Sequence, residues 1–263
     1  MPDGILFYLL DQTDMFKLIS CNVFMREACW AIAQSPHVVD VEFTELGEHA
    51  QPNMLRELIQ TRIDAVEAGA KKYDAILLLF GLCGNATVGV QARKTPLVLP
   101  RAHDCCTILL GSRAKFVEHF AEAPSTPFSS SGYLERGEYF LRTGDNGAPE
   151  VKTGDAYKAM VEQYGEEDAK FIWDEMNPQH EGNARAVFID LPQTRPLNHA
   201  ARFQQKSQAA GKQFVQLEGD IRLIQNLING TWDEQEYLVV QPGQKIEGVY
   251  DYEKIVRAVD GMK

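Results

Sequence analysis

The sequence lacks the features that mark several large classes of protein. No stretch approaches the roughly 20 apolar residues of a membrane-spanning helix, and there is no internal repeat or low-complexity tract. Basic residues are in the minority, with 26 lysines and arginines against 37 aspartates and glutamates, so the net charge is −11. Because nucleic acids and anionic membranes both attract basic surfaces, we expect neither as a partner.

The short motifs of common nucleotide-binding and hydrolytic enzymes are also missing. The chain has no G-x-G-x-x-G after a strand, no G-x-x-x-x-G-K-[ST], no G-x-S-x-G and no H-E-x-x-H. The apolar segment 5–10 lacks a basic flank, so it predicts a strand and not a signal peptide, and we expect a cytoplasmic protein. In a cytoplasmic protein, an odd number of cysteines (five) argues against a disulfide framework and favours metal binding or catalysis.

What is present is a globular composition, with 44% hydrophobic and 24% charged residues in 263. Short apolar segments alternate with amphipathic ones, which predicts an α/β fold: a mostly parallel, Rossmann-like sheet with helices on both faces. The predicted strands cover 5–10, 16–20, 39–44, 75–80, 95–100, 186–189, 214–217 and 237–240. The predicted helices include 24–34, 107–120, 156–176, 197–208, 221–228 and a closing helix over 252–259.

We predict three parts of the chain. Residues 1–123 form an α/β lobe that carries the cysteine site. Residues 124–180 form an irregular and helical insertion, which includes the polar helix over 156–176. Residues 181–263 form a second α/β portion that continues the first sheet or packs on it.

Three cysteines lie where an α/β sheet places its binding site. Cys21 ends one predicted strand, Cys83 follows the next buried strand, and Cys105 follows a third by a short loop. Ligands bind beyond the carboxyl ends of parallel strands, so we expect these three sulfurs to converge. Cys29 falls inside a predicted helix and is expected to be a buried free thiol. Cys106 is expected to point elsewhere than its neighbour.

Converging thiols suit a soft metal ion. Thiolates are ligands of zinc and of iron–sulfur clusters, and His103 with Cys105 forms a His-x-Cys pair. The expected zinc ligands are therefore Cys21, Cys83, Cys105 and His103, or the three thiolates with an open position. A [4Fe–4S] cluster with one free iron fits the same ligand count. In another alternative, one cysteine attacks a substrate, with His103 or His49 as its base.

Polar residues beside the cysteines predict a small anionic or polar substrate. Gly84 and Asn85 are expected to bind a cofactor or substrate, since glycine-rich turns offer backbone N–H groups to anions. Asn22 is expected to donate a hydrogen bond at the same site.

Two charged residues flank His103. Arg101 is predicted to pair with a carboxylate or phosphate, or else to form a surface or inter-loop ion pair. Asp104 is predicted to orient His103, or else to cap the helix that follows.

Several segments carry a resemblance to a known family. They are Ser20-Cys21-Asn22-Val23, Arg26-Glu27, Glu45-Leu46-Gly47-Glu48-His49, Gly81-Leu82-Cys83-Gly84-Asn85 and Pro100-Arg101-Ala102-His103-Asp104-Cys105. Through them the chain resembles the domain-of-unknown-function family 1638, whose pattern has cysteine at 21, 83 and 105. The family usually has an aliphatic residue at 106, which makes Cys106 incidental, and Gly-Trp where this chain has Gly132-Tyr133.

The resemblance implies a metabolic setting but no reaction. Family members are often encoded near corrinoid-dependent methyltransferases, which implies one-carbon metabolism and a methyltransferase or corrinoid protein as partner. We therefore expect a zinc-dependent enzyme that transfers a methyl or other small group. The alternatives are a [4Fe–4S] lyase or desulfidase and a non-catalytic metal-binding accessory protein. A homodimer is a further expectation.

Overall fold

The computed structural model describes residues 13–44, 52–122, 126–137, 185–249 and 254–261. Three predictions lie outside these residues: the strand over 5–10, the loop position of His49, and the polar helix over 156–176.

The described residues alternate between strands and helices over most of their length. The strands are β1 (Met15–Cys21), β2 (Val38–Thr44), β3 (Ala75–Leu79), β4 (Leu97–Pro100), β5 (Phe128–Ser129), β6 (Arg185–Asp190), β7 (Gln213–Glu218), β8 (Tyr237–Val240), β9 (Gln244–Gly248) and β10 (Val256–Asp260). The helices are α1 (Met25–Ile32), α2 (Pro52–Ala68), α3 (Cys105–Leu110), α4 (Arg113–Phe120), α5 (Ser131–Gly137), α6 (His199–Ala209) and α7 (Arg222–Ile228). Short 3₁₀ turns occupy Asn22–Phe24 and Arg195–Leu197.

The main sheet has the strand order β2-β1-β3-β4-β8. Its first four strands are parallel, and β8 runs antiparallel to β4 at one edge. Every residue of β3 is buried, because the strand lies inside the sheet and both of its faces are covered. The α/β prediction with a mostly parallel sheet is confirmed.

A second, parallel sheet has the order β5-β6-β7, and β9 pairs with β10 in an antiparallel ribbon. Side chains of β6 point alternately to two cores. Val187 and Ile189 join the large core around the main sheet, whereas Ala186 and Phe188 pack with Phe203 of α6. The central strand of the second sheet thus contributes directly to the core of the first.

Two predicted helices differ from the structure. The helix over 252–259 is wrong where the structure describes it, because Val256–Asp260 is a strand that pairs with β9. The single helix over 107–120 is two helices, since Gly111 adopts a left-handed conformation (φ 69°) that ends α3. Ser112 then caps α4 by accepting a hydrogen bond from the backbone N–H of Lys115.

One cysteine also differs from its prediction. Cys29 lies in α1 as expected, but its side chain is exposed. The buried positions of the helix are Glu27, Ala28 and Ala31, so Cys29 faces outwards beside Trp30. In the parts of the chain that the structure describes, no helix is long and apolar enough to span a membrane.

Candidate thiol site at the carboxyl edge of the main sheet

Three neighbouring parallel strands bring three cysteines together. Cys21 is the last residue of β1, Cys83 lies in the loop after β3, and Cys105 is the first residue of α3, after β4. The Cys105 thiol donates a hydrogen bond to Cys21 and accepts one from Cys83. Cys21 and Cys105 are buried, whereas Cys83 is partly exposed. The structure therefore gathers these residues as the strand positions predict, and we call them the thiol cluster.

The loops that carry Cys83 and Cys105 are bound to each other along their backbones. Leu82 N–H donates to the Ala102 carbonyl at 2.8 Å, and Cys83 N–H donates to the His103 carbonyl at 2.9 Å. Gly81 permits this approach, because a Cβ atom there would lie 2.6 Å from the Asp104 Cα. The two loops can therefore approach this closely only because residue 81 is a glycine and has no side chain.

Replacing Gly81 with alanine should push the two loops apart and lower the free energy of unfolding by about 2 kcal/mol, as overpacking does. Urea denaturation measures the loss. Gly69→Ala is the control, since Gly69 is exposed just after α2, has no left-handed φ, and the atom nearest to its Cβ position lies 3.2 Å away. Equal losses in both variants would contradict the steric role of Gly81.

The turn around Cys83 has an unusual backbone. Cys83, Gly84 and Asn85 all have positive φ, at 47°, 65° and 72°. Such conformations are costly for a residue with a Cβ atom, and they persist where the surroundings hold them. Arg56 of α2 stabilises the conformation of this turn, because its Nη2 donates a hydrogen bond to the Asn85 carbonyl at 2.9 Å. Gly84 and Asn85 thus shape the turn that presents Cys83.

Tyr133 of α5 also touches the cluster, and sequence reasoning did not find it. Its hydroxyl donates a hydrogen bond to the Cys105 sulfur. The side chain is buried, and its ring meets Phe128 edge-on at a centroid distance of 5.5 Å. No local pattern indicates this contact, because Tyr133 reaches the cluster from a distant segment of the chain.

Burial and mutual contact control the ionisation of these groups. The pKa of the Cys105 thiol is raised well above its ordinary value, first because it donates a hydrogen bond to Cys21. Complete burial acts in the same direction, whereas the hydrogen bonds from Cys83 and Tyr133 lower the pKa. Burial also raises the pKa of the Tyr133 hydroxyl, and the nearby sulfurs raise it further. Cys105 and Tyr133 therefore hold their protons firmly.

The residues around His103 have defined partners. Asp104 caps α3 by accepting from the Thr107 N–H at 3.1 Å, and burial raises the pKa of its carboxyl. The His103 ring lies against Phe116 of α4, with 5.8 Å between ring centroids. Asp104 thus has the capping role, the second of its two predicted roles.

Arg101 joins distant backbone segments. Its Nε donates to the Glu234 carbonyl at 2.9 Å, and its Nη1 donates to the Lys254 carbonyl at 2.9 Å and to the Val256 carbonyl. The Arg101 guanidinium therefore links the loop after β4 to the segment before β8 and to the start of β10.

Glu27 is a second residue that sequence reasoning did not single out for chemistry. It lies on the buried face of α1 and is fully inaccessible. Across the described parts of the chain, its carboxylate oxygens have no hydrogen-bond partner beyond its own backbone. Burial raises the pKa of Glu27 from 4.5 to about 7. Its spacing is the sequence signal that indicates burial: Glu27 lies four residues after Val23, three after Phe24 and four before Ala31, on one helical stripe of otherwise apolar residues.

Asn22 follows Cys21 and is buried in the 3₁₀ turn Asn22–Phe24. It therefore adjoins the thiol cluster in the chain, and its predicted hydrogen bond to the site stays a prediction. Among the residues with described positions, no group of three or more His, Cys, Asp or Glu side chains is arranged so that it could hold a metal ion as it stands.

The fold and the site together define an α/β protein with a buried thiol cluster at the carboxyl edge of a mostly parallel sheet. Residues 43–228 match the model of the family described as "Protein of unknown function (DUF1638)". The chain belongs to this family, as its resemblance predicts. It matches no curated protein and no solved structure.

Proposed function

We propose that the protein is a metal-dependent enzyme whose thiol cluster binds zinc during the transfer of a methyl or other small group. The observation that carries this proposal is the contact of the Cys105 sulfur with both Cys21 and Cys83. Three thiols from three strand ends have few structural reasons to meet, whereas thiolates are preferred zinc ligands.

The contacts of the Cys105 sulfur support this chemistry. Two thiolates on one tetrahedral zinc ion lie about 3.8 Å apart when each Zn–S bond is about 2.3 Å. Two sulfurs joined by a hydrogen bond have a similar separation, so Cys105 is already close enough to both partners. Metal binding removes the thiol protons, so the hydrogen-bonded cluster would become a ligand set by losing protons and by rearranging its three sulfurs around the metal ion.

The surrounding residues supply an entrance and a binding surface. Cys83 is the partly exposed member of the cluster, so a substrate would approach from its side. The exposed Gly84 and the adjoining Asn85 lie beside this entrance and would bind a small polar or anionic group. His103 would act as a fourth ligand or as a nearby acid or base. A bound zinc ion would supply a Lewis acid, or activate a thiol or water.

The wider setting is part of the same proposal. We infer a Rossmann-like arrangement of the main sheet, a cytoplasmic location, and a place in one-carbon metabolism with a methyltransferase or corrinoid protein as partner. The four parallel strands of the main sheet support the first inference, and the sequence resemblance described above is the ground for one-carbon metabolism.

The deciding experiment is a metal analysis of the protein purified anaerobically without a histidine tag. Mass spectrometry of metals and a visible spectrum are recorded on the same sample. About one zinc per chain and no colour are expected for a single thiolate site. Iron with matching sulfide and a brown colour would instead support a [4Fe–4S] enzyme of the lyase or desulfidase type. A metal-free protein would favour a nucleophilic cysteine.

Cys83→Ala should abolish zinc binding, because it removes one of three thiolates and leaves an incomplete ligand set. Metal content per chain is the measurement. Cys29→Ala is the matched control, since Cys29 is exposed on α1 and should not affect the metal content. Full metal content in the Cys83→Ala protein would overturn the zinc assignment.

A further inference from the structure

We propose that Tyr133 is a positioning residue of the thiol cluster, whose hydroxyl fixes the Cys105 sulfur and sets its strength as a metal ligand. This inference rests on the proposed zinc function. The carrying observation is the hydrogen bond from the Tyr133 hydroxyl to Cys105, the sulfur that also contacts Cys21 and Cys83.

Both the ring of Tyr133 and the backbone just before it are held in place. It is buried, and it packs edge-on against Phe128 with an interplanar angle of 88°. The preceding Gly132 lies directly against the Val23 carbonyl, in the turn that follows Cys21. The hydroxyl therefore cannot leave the Cys105 sulfur without a movement of α5.

The helix that carries Tyr133 is itself attached to the segment after Cys21. The Arg26 Nε forms an ion pair with Glu135 at 2.7 Å. The Arg136 Nη2 contacts the Met25 Sδ at 2.8 Å. Because α5 is anchored to the segment after one cysteine and donates to another, it fixes the relative positions of Cys21 and Cys105.

The hydroxyl has a chemical effect as well as a steric one. A sulfur that accepts an O–H hydrogen bond has less electron density to give to a metal, which weakens the metal–sulfur bond. The same hydrogen bond fixes the orientation of the sulfur, which strengthens metal binding, and Tyr133 acts mainly through this second effect. Groups that hold a metal ligand in this way typically contribute 10–100-fold to metal affinity. Tyr133 should therefore affect metal binding although it is not itself a ligand.

Cobalt(II) is the probe, since its thiolate charge-transfer absorption reports on the sulfur ligands directly. Tyr133→Phe should weaken cobalt binding about 10–100-fold, because the Cys105 sulfur loses its fixed orientation. It should also move the charge-transfer band to longer wavelength, because that sulfur becomes more electron-rich. Tyr237→Phe is the matched control. It removes another buried hydroxyl, one that donates to the Leu223 carbonyl at 2.8 Å, and should leave affinity and band unchanged.

The outcomes separate the two proposals. A wild-type protein without a thiolate–cobalt band would defeat the zinc function. A wild-type protein with that band, together with a Tyr133→Phe protein of the same affinity and spectrum, would defeat the role of Tyr133 alone.

A second measurement needs no folded Tyr133 variant. Zinc should change the near-ultraviolet circular dichroism of tyrosine in the wild-type and Tyr237→Phe proteins, since the partner of the Tyr133 hydroxyl becomes a metal ligand. A tyrosine signal that stays constant up to saturating zinc would also overturn the inference.

Discussion

Gly132→Ala should lower the free energy of unfolding by more than about 3 kcal/mol, beyond the usual range for overpacking. A Cβ atom at Gly132 would lie 1.8 Å from the Val23 carbonyl oxygen and 2.8 Å from the carbonyl carbon. These are backbone atoms, so no side-chain rotation relieves the clash. The helix α5 must instead move away from the turn after Cys21, which also withdraws Tyr133 from Cys105.

Urea denaturation of the wild type and the variant measures this loss. Gly69→Ala is a suitable control, because Gly69 is an exposed residue just after α2 and the closest atom to its Cβ position is 3.2 Å away. The control should differ from the wild type by less than about 1 kcal/mol. A Gly132→Ala protein as stable as the control would show that α5 does not pack on the turn as described.

The second large effect concerns pH and Glu27. Burial raises the pKa of its carboxyl from 4.5 to about 7, the nearby Glu135 raises it further, and Arg26 acts in the opposite direction. Below pH 4.5 the folded and unfolded states both hold the proton. As the pH rises towards 7, the unfolded chain loses it first, so stability falls by about 3 kcal/mol across this window. Above pH 7 both states are ionised and the loss is complete.

Glu27→Gln should remove this pH dependence, because the amide is neutral at every pH. At pH 8 the variant should be more stable than the wild type by up to about 3 kcal/mol, whereas at pH 4.5 the two should be similar. Urea unfolding at a series of pH values tests this. Glu57→Gln, at an exposed site on α2, should follow the wild-type pH profile. If the stability of the Glu27→Gln protein also changed with pH as in the wild type, Glu27 would have an ordinary pKa.

The sequence predicts most of the main sheet and the meeting of the three cysteines. Each of Cys21, Cys83 and Cys105 comes just after a short apolar segment, and the carboxyl ends of parallel strands share one edge. That argument needs only local patterns and one topological rule. It holds because β1, β3 and β4 are adjacent in the sheet.

Other features depend on contacts that local patterns do not encode. The antiparallel direction of β8 is decided by its pairing with β4, in which Leu97 lies opposite Val240. Tyr133 reaches Cys105 only because α5 packs on the turn after Cys21. The segment Val256–Asp260 becomes a strand through pairing with β9, although its composition also allows a helix. Long-range pairing therefore overrides local propensity at these positions.

The antiparallel edge strand has a consequence for how this chain is made. On the ribosome β4 emerges long before Tyr237–Val240, the segment that covers its outer edge. Until then the apolar residues of β4 expose unpaired backbone groups, a template for unwanted association. The matched family region, residues 43–228, includes neither β1 nor β8. A polypeptide trimmed to that region would lose β1 and all but the last two residues of β2, and it would leave the β4 edge permanently open.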